Sequence, residues 1–272
     1  MSPEGFWRFE HDGWERAAPH YEACWESLTS MFIAPLLAAI AAAPGTRVLD
    51  VACGPGNVSE AASRLGAKTV GLDFSGRMVL RARQRNPGLA FLEGDAQQLP
   101  FGGASFDAVV MNFGAPHFAR SDLAFREARR VLRPSGSFAF TVWARPEENP
   151  GAQIMSRAVE AHADANVDFP EGPPRFPLCD AEDCRRALAE AGFKPSSLTF
   201  ATVTASWRVP TASFVFEAER DGGVRTAAVL ARQSLDRLAA IQSAVERAVA
   251  KYAVPGGFGI PMTAHVVAVA AD

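Results

Sequence analysis

The sequence has few cysteines, no long apolar run and no excess of positive charge. Its 4 cysteines are irregularly spaced along 272 residues and form no C-x-x-C pair, which argues against a disulfide framework and a structural zinc site. Lys and Arg number 27 against 30 Asp and Glu, so clustered positive charge for nucleic acid is lacking. These absences predict an ordinary globular protein with no metal site and no nucleic-acid partner.

The sequence shows no sign of export or of membrane insertion. The chain begins M-S-P-E-G-F-W-R-F-E-H-D, without the apolar core of a signal peptide. The apolar stretch from Met31 to Ala43 is too short to span a bilayer, and it contains Pro35. We therefore expect a cytoplasmic protein without a membrane span.

Short apolar stretches alternate with helical stretches through the first half of the chain. Alternation of this kind is typical of a parallel, doubly wound α/β sheet. The strands are predicted at 46–52, 68–74, 89–94, 106–113 and 136–143, and the helices at 57–66, 76–85 and 121–132.

The most informative segment is the run V-L-D-V-A-C-G-P-G-N. An apolar strand carries the carboxylate of Asp50 near its end, and Gly54 and Gly56 allow a tight turn against a ligand. Asn57 and Glu60 fit the capping box of a helix that follows. Because open α/β sheets bind ligands at the carboxyl ends of their strands, the turn is predicted to line a pocket.

Asp50 limits which nucleotide this turn can bind. A dinucleotide would place its pyrophosphate in the loop, where a carboxylate repels it, and Ser59 stands where the dinucleotide fingerprint has Gly or Ala. A cationic ligand suits the carboxylate better, and the methionine part of S-adenosylmethionine carries an ammonium and a sulfonium. An ordinary strand-to-helix turn is the alternative interpretation.

Two further predicted strands also end in a carboxylate, Asp73 and Asp95. Asp73 lies about 20 residues beyond the loop, where an acidic side chain can bind both hydroxyls of a ribose. A strand end also uses Asp as a helix cap or turn former, so each carboxylate alone has a structural explanation. Their recurrence at one sheet edge, beside the glycine turn, favours a ligand site.

Five segments in this order resemble the class I S-adenosylmethionine-dependent methyltransferases. They are V-L-D-V-A-C-G-P-G-N, G-L-D-F-S, E-G-D-A-Q-Q-L-P-F, F-D-A-V-V-M-N-F and R-V-L-R-P-S-G-S-F, within residues 46–145. The similarity is to the small-molecule branch with the ubiquinone and menaquinone biosynthesis enzymes, which carry a type 11 methyltransferase domain. It implies a Rossmann-like, doubly wound, seven-stranded sheet, mostly parallel with an antiparallel last strand, plus helical cap insertions. S-adenosylmethionine is the implied cofactor and S-adenosylhomocysteine the product.

The resemblance also assigns cofactor contacts. They are Asp50, Ala52, Gly54 and Gly56 for the methionine part, Asp73 for the ribose, Phe74, Met78, Asp95 and Ala96 for the adenine, and Asn112 near the methionine end. Tyr21, in A-A-P-H-Y-E, matches a tyrosine that hydrogen-bonds the methionine carboxylate. Ala52 departs from the pattern, because many members have Gly there.

His117, in N-F-G-A-P-H-F, is the candidate catalytic residue. Methyl transfer from a sulfonium needs a protein base only when the acceptor must first lose a proton. An imidazole suits the deprotonation of a phenol or thiol near neutral pH. The alternative is a histidine that merely closes the loop; His20 and His162 are weaker candidates.

Aromatic residues before the first strand lie on one helical stripe. Trp7, Trp14, Tyr21, Trp25 and Phe32 have this spacing. A stripe of this kind is commonly part of the core, but the resembling family folds its N-terminal helices over the cofactor. The stripe therefore has two interpretations, core or pocket.

The acceptor side is predicted to be apolar, because aromatic residues recur in the loops expected over the pocket. They are Phe113, Phe118, Trp143, Phe169 and Phe176. Small-molecule sites are mostly lined by such side chains. The predicted partner is a small hydrophobic or aromatic methyl acceptor.

We expect a single domain made of four segments. These are an N-terminal helical cap at 1–45, a cofactor-binding core at 46–145, a lid or insertion at 146–180, and residues 181–272, which complete the sheet with a helical insertion near 211–251. The β-rich segment 198–209 is expected to pair antiparallel with a last strand at 263–270. The helical stretch 226–251 is expected to cap the active site, or else to pack behind the sheet or form a homodimer contact.

Two other functions remain open at this point. An NAD(P)-dependent oxidoreductase would use Asp73 but leave Asp50 and Asp95 unexplained. A non-catalytic partner subunit that binds S-adenosylmethionine would keep every cofactor contact.

Overall fold

A computed structural model describes residues 3–164 and 172–271, and Phe169 lies outside these ranges. The centre of the fold is an eight-stranded sheet in the order β3-β2-β1-β4-β5-β8-β6, with β7 paired to β8. The strands are β1 (Arg47–Val51), β2 (Lys68–Asp73), β3 (Ala90–Glu93), β4 (Phe106–Asn112), β5 (Leu132–Trp143), β6 (Thr199–Val209), β7 (Ala253–Val254) and β8 (Gly257–Ala270).

Helices cover both faces of the sheet. They are α1 (Pro3–Ala17), α2 (Ser27–Thr29), α3 (Ile33–Ala39), α4 (Asn57–Arg64), α5 (Gly76–Arg85), α6 (Ser121–Val131), α7 (Pro150–His162), α8 (Ala181–Glu190), α9 (Phe214–Gly222), α10 (Arg225–Leu230) and α11 (Leu235–Val249). Apolar residues of α6 and α8 pack on one face, and those of α3 and α4 pack on the other. The described helices include none long and apolar enough to cross a membrane.

The strand directions confirm the predicted fold class. Strands β1 to β5 pair in parallel, and β8 lies antiparallel between β5 and β6. The sheet has one strand more than predicted, because the short β7 forms a hairpin with β8. Pro255 and Gly256 make the two-residue turn, and the φ of +81° at Gly256 is the left-handed conformation that such a turn requires.

Two local predictions are wrong. The helix after the glycine turn has Gly56 as its N-cap with no side-chain cap, so Asn57 and Glu60 do not form a capping box. With its left-handed φ of +89°, Gly56 takes the N-cap position, one residue earlier in the chain than the Asn57 of the predicted capping box. The last strand begins at Gly257 and not at residue 263, because residues 258–262 continue the pairing with β6.

The N-terminal segment is helical almost throughout and rests on α5. Between α1 and α3 it passes through a π-helical turn, Glu22–Glu26, and two 3₁₀ turns. The Glu22 carboxylate accepts from Arg81 of α5 at 2.7 Å, and Glu26 pairs with Arg85 one turn later. Glu15 of α1 accepts from the backbone N–H of Arg77 at 3.0 Å. These contacts hold the N-terminal segment against α5.

The C-terminal insertion covers the sheet edge with a different helix from the one predicted. Helix α9 and the turn before α10 line the cavity described below, and Thr226 is the first part of the predicted 226–251 cap to do so. Helix α11 packs on α7 through Ile241 and Val245 and lines no part of that cavity. Of residues 226–251 only Thr226 lines the cavity, so the prediction that this stretch caps the site is wrong for residues 227–251.

Candidate active site

One cavity of about 260 Å³ opens at the carboxyl ends of the parallel strands. Its walls include the glycine turn after β1 and the ends of β2 and β4, as expected for an open α/β sheet. Helix α1 and the π-helical turn cover one side, and α7, α9 and the sheet strand β8 enclose the other. The cavity therefore joins the predicted cofactor loop to the predicted acceptor side.

The glycine turn holds three residues with left-handed backbone. The φ angles are +55° at Ala52, +53° at Gly54 and +89° at Gly56. A Cβ on Gly54 would project into open space, whereas one on Gly56 would lie 2.8 Å from the ring of Phe91. Left-handed backbone costs an L-residue about 1–2 kcal/mol. This cost explains why Gly would be favoured over Ala at position 52.

Asp50 lies beneath this turn and is fully buried. Its Oδ2 accepts from the Ser59 backbone N–H at 3.0 Å and from the Ser59 hydroxyl at 2.8 Å. No described residue donates to its Oδ1. Burial, only partly offset by the Ser59 hydrogen bonds, raises the pKa of Asp50 to about 7. Neither Asp50 nor Gly56 lines the cavity, so their contact with a cofactor stays a prediction.

Asp73 is held at the cavity wall by two backbone N–H groups. Its Oδ2 accepts from Gly54 at 2.8 Å and its Oδ1 from Ser75 at 2.9 Å. Burial raises its pKa to about 6 against the effect of these hydrogen bonds. A carboxylate has further lone pairs, so Asp73 can still accept from a ligand hydroxyl.

The predicted adenine wall is formed by the residues that follow β2 and β3, together with α5 and α1. Asp95 accepts from the Gln97 backbone N–H at 2.8 Å and from the Trp7 indole N–H at 3.1 Å. The Trp7 ring meets Phe74 edge-on at 5.9 Å. The buried Met78 and Ala96 line the same part of the cavity.

Tyr21 and Asn112 meet at Thr29. The Tyr21 hydroxyl lies 3.1 Å from Thr29 Oγ1, and the Asn112 amide donates to the Thr29 carbonyl at 3.2 Å. Burial raises the pKa of Tyr21 to about 12, so its hydroxyl stays protonated. All three residues line the cavity.

The residues of this end fit S-adenosylmethionine. Asp50 Oδ1 and Asn57 Oδ1 are buried acceptors without a partner among the described residues, and Asp73 adds a carboxylate on the wall. Such acceptors suit a ligand that brings an ammonium, hydroxyls and a sulfonium charge. The open space at Gly54 leaves room for a ligand against the backbone.

His117 lines the same cavity, beyond the end of β4. Its Nδ1 lies 2.8 Å from Oε2 of Glu10, a fully buried carboxylate on α1. The other oxygen of Glu10 accepts from Nε of Arg225 at 2.8 Å. Trp14 meets the His117 ring edge-on at 4.9 Å.

Sequence reasoning missed Glu10 and Arg225. Glu10 had a usable signal, because it stands between Trp7 and Trp14 on the aromatic stripe, where a charge is out of place. Arg225 had none, since the first turn of α10, which carries it, is placed only by the packing of α9 and α10.

Aromatic rings line the acceptor side as predicted. Phe113 stacks on Trp143 at 4.0 Å, and Trp25 stacks on Trp207 at 5.8 Å. Phe118 and Phe176 also line the cavity. Trp207 was not predicted, because it lies on β6, far along the chain.

The aromatic stripe contributes both to the pocket and to the core. Trp7, Trp14, Tyr21 and Trp25 line the cavity. Phe32 is fully buried and meets the rings of Phe113 and Trp143 edge-on.

Phe113 has a strained backbone, with a φ of +60°. Its N–H donates to the hydroxyl of the fully buried Thr141 at 2.9 Å, and that hydroxyl in turn donates to Asn112 Oδ1 at 2.6 Å. Bulky residues rarely adopt left-handed backbone, and such strain is common at functional sites. Thr141 thus helps to fix both Phe113 and Asn112.

The chain is similar to one protein family and to several known proteins. Residues 49–140 match the methyltransferase domain family. A demethylmenaquinone methyltransferase from Renibacterium salmoninarum is 37% identical over 136 residues, which are 48% of this chain and 57% of that protein. Another, from a Mycobacterium species, is 33% identical over 167 residues, 57% of this chain and 71% of that protein.

The solved structure of the YcgJ protein from Bacillus subtilis has the same fold. Its TM-score is 0.56 at 18% identity, covering 88% of this chain and 97% of that one. The chain spans little more than half the length of the first curated relative, and over two thirds of the second. An oxidoreductase is not favoured by these matches. The motifs, the sheet order and the relatives together place this chain in the small-molecule branch of the class I S-adenosylmethionine-dependent methyltransferases.

Proposed function

We propose that this protein transfers a methyl group from S-adenosylmethionine to a small, apolar or aromatic acceptor. The observation that carries the proposal is the single cavity whose walls include both the glycine turn and the stacked aromatic residues. The named relatives act on demethylmenaquinone, which makes a quinol or phenol the first acceptor class to test. The bound cofactor supplies an electrophilic methyl group on a sulfonium.

We assign most of the site residues to cofactor binding and His117 to proton transfer. We assign the methionine part of the cofactor to Tyr21, Asp50, Asn112 and the turn from Ala52 to Gly56. Asp73 is assigned to the ribose. Burial of the cavity under α1 and α9 supports transfer by keeping water from the methyl group.

Phe74, Met78, Asp95 and Ala96 are assigned to the adenine. The apolar contacts of Phe74 and Met78 suit a ring face, and the Asp95 carboxylate suits an exocyclic amine. Trp7 contacts both Phe74 and Asp95, so its indole is expected to shift or to share Asp95 when the adenine binds.

His117 is assigned the role of base for an acceptor that must lose a proton. It lines the cavity beside Trp14, and 30% of its side chain is exposed. The imidazole would take the proton of the acceptor's hydroxyl or thiol, while the cofactor would supply the methyl group and leave as S-adenosylhomocysteine when its methyl–sulfur bond breaks. His117→Gln should then lower kcat while leaving cofactor affinity unchanged.

Binding and turnover experiments test the proposal in two steps. Calorimetry with S-adenosylhomocysteine and with NADH should show binding of the first alone; binding of NADH alone would overturn it. Labelled S-adenosylmethionine is then incubated with quinol precursors, phenols, thiols and amines. Cofactor binding without transfer to any of them would favour a non-catalytic partner subunit.

We also propose that the acceptor is a free small molecule in the cytoplasm and that no nucleic acid binds. The support is the net charge of −3, which offers little attraction for phosphates. A homodimer remains part of the proposal, and sedimentation of the purified chain tests it.

A further inference from the structure

We propose that Glu10 is the positioning residue for His117, and that it selects the ring tautomer in which Nε2 accepts a proton. The inference deepens the proposed function and rests on His117 as the base. It adds a residue that lies 107 positions from His117 in the chain and outside the recognised motifs.

The hydrogen bond between the two residues determines the tautomer. Oε2 of Glu10 lies 2.8 Å from Nδ1 of His117. An ionised carboxylate only accepts hydrogen bonds, so Nδ1 must carry the proton when the ring is neutral. Nε2 is then the acceptor nitrogen, and no other described residue forms a hydrogen bond with it.

His117 and Arg225 keep Glu10 ionised in spite of its burial. Burial alone would raise the pKa of Glu10, but His117 and Arg225 together hold it below its usual value. The Arg225 guanidinium donates to Oε1 of Glu10 at 2.8 Å and to the carbonyls of Pro116 and Pro173. It also lies over the ring of Phe6, 4.7 Å from the ring centre. Arg225 is therefore fixed by four neighbours.

The other groups around His117 agree with a fixed ring. Trp14 meets it edge-on at 88°, and His117 is the last residue of the 3₁₀ turn Ala115–His117. Asp73 also interacts with His117 electrostatically. Glu10 lies on α1, which covers the cavity. His117 therefore has the orientation of a base only when α1 is packed over the cavity.

Nitrogen NMR of the histidine rings tests the inference without any acceptor. The chain has 5 histidines, and the His117 signals are identified by their loss in His117→Gln. We expect the neutral His117 ring to be protonated on Nδ1 in the parent protein. In Glu10→Gln, whose amide can both donate and accept, we expect a mixture of tautomers.

Glu15→Gln is the matched control. Glu15 is also on α1, but it binds Ser75 and Arg77 of the α5 start and does not contact His117. If Glu10 acts only by seating α1, both variants will change the His117 tautomer. An Nδ1-protonated ring in Glu10→Gln, or an equal change in Glu15→Gln, would overturn the inference.

Kinetics separates this inference from the proposed function. With a transferable acceptor, Glu10→Gln should lower kcat at least about tenfold, with unchanged S-adenosylhomocysteine affinity. Full transfer by His117→Gln would remove His117 as the base, whatever the NMR shows about Glu10. Loss of transfer in His117→Gln but not in Glu10→Gln would refute the positioning role alone.

Discussion

Ala52 and Gly114 face each other across the cavity floor at a distance that leaves room for only one methyl group. A Cβ on Gly114 would lie 2.7 Å from Cβ of Ala52 and 3.0 Å from Cγ of Met111. Ala52 has left-handed backbone, where the family commonly has Gly. At this pair of positions the methyl group is that of Ala52, on the turn after β1, and the glycine is Gly114, on the loop after β4.

Exchange of these two residues tests the relationship. Gly114→Ala should lower the free energy of unfolding by about 1–3 kcal/mol through overpacking. Ala52→Gly should leave it unchanged or raise it, because relief of left-handed strain offsets the added freedom of the unfolded chain. The double variant, measured by urea unfolding, should recover part of the loss. A double variant no more stable than Gly114→Ala would show that Met111, and not Ala52, causes the clash.

Thr141→Val removes the hydroxyl that serves both Phe113 and Asn112. It leaves a buried backbone N–H and an amide oxygen without this partner, so we expect a loss of about 1–3 kcal/mol. Thr69→Val is the control, because the buried Thr69 hydroxyl has no hydrogen-bond partner among the described residues. Thermal unfolding should show Thr69→Val equal to or more stable than the parent. Equal losses in both variants would contradict the role given to Thr141.

Asp50→Asn should change both stability and cofactor affinity. The folded pKa of about 7 exceeds the ordinary 3.8, so the folded state keeps a proton that the unfolded chain releases between these values. The free energy of unfolding therefore falls as pH rises from about 4 to about 7, and it falls less in Asp50→Asn. Above about pH 7 the variant should have the higher melting temperature.

The same substitution should weaken S-adenosylmethionine binding by roughly tenfold or more, because a charge-assisted contact to the cofactor's ammonium is lost. Calorimetry measures the affinity and a pH series of thermal scans measures the stability. Unchanged affinity would mean that the Asp50 carboxylate does not interact with the cofactor.

The ion pairs between the N-terminal segment and α5 should make local opening of that segment depend on salt. Arg81→Met removes the pair with Glu22, whose partners are each 32% exposed, so global stability should change by less than about 1 kcal/mol. Hydrogen exchange in the π-helical turn Glu22–Glu26 should nevertheless become faster, and added salt should have the same effect on the parent protein. Arg64→Met is the control, since Arg64 pairs with Glu60 on its own helix. Equal exchange in this turn in both variants would contradict this prediction.

Much of the sheet could be predicted because its signals are local. The strand that carries Asp50 and the one that ends in Asp73 show as apolar runs beside Gly and Asp. The capping box failed because a positive φ at Gly56, which no residue pattern states, moves the helix start. The cap over the cavity was assigned to the wrong helix because helical composition does not say which surface α11 packs against.

The candidate site divides in the same way. Asp73, Asp95 and Asn112 stand at strand ends, so chain order and sheet direction are enough to bring them to one edge. Glu10 and Arg225 reach His117 through packing of α1 and α10, which depends on distant apolar contacts. Whether Asp50 contacts the cofactor directly stays a prediction, because the side chain lies beneath the turn and not on the cavity wall.

The sequence by itself determined the fold class, the glycine turn and the kind of cofactor, because each depends on local patterns that recur in successive strand-turn-helix units. Only the tertiary structure decided which carboxylate orients His117, which helix closes the cavity and which residue accommodates the methyl group of Ala52. These are contacts between segments more than 50 residues apart, such as Glu10 with His117 at a separation of 107. Their geometry is set by how helices pack on the sheet, and a local pattern carries no information about that packing.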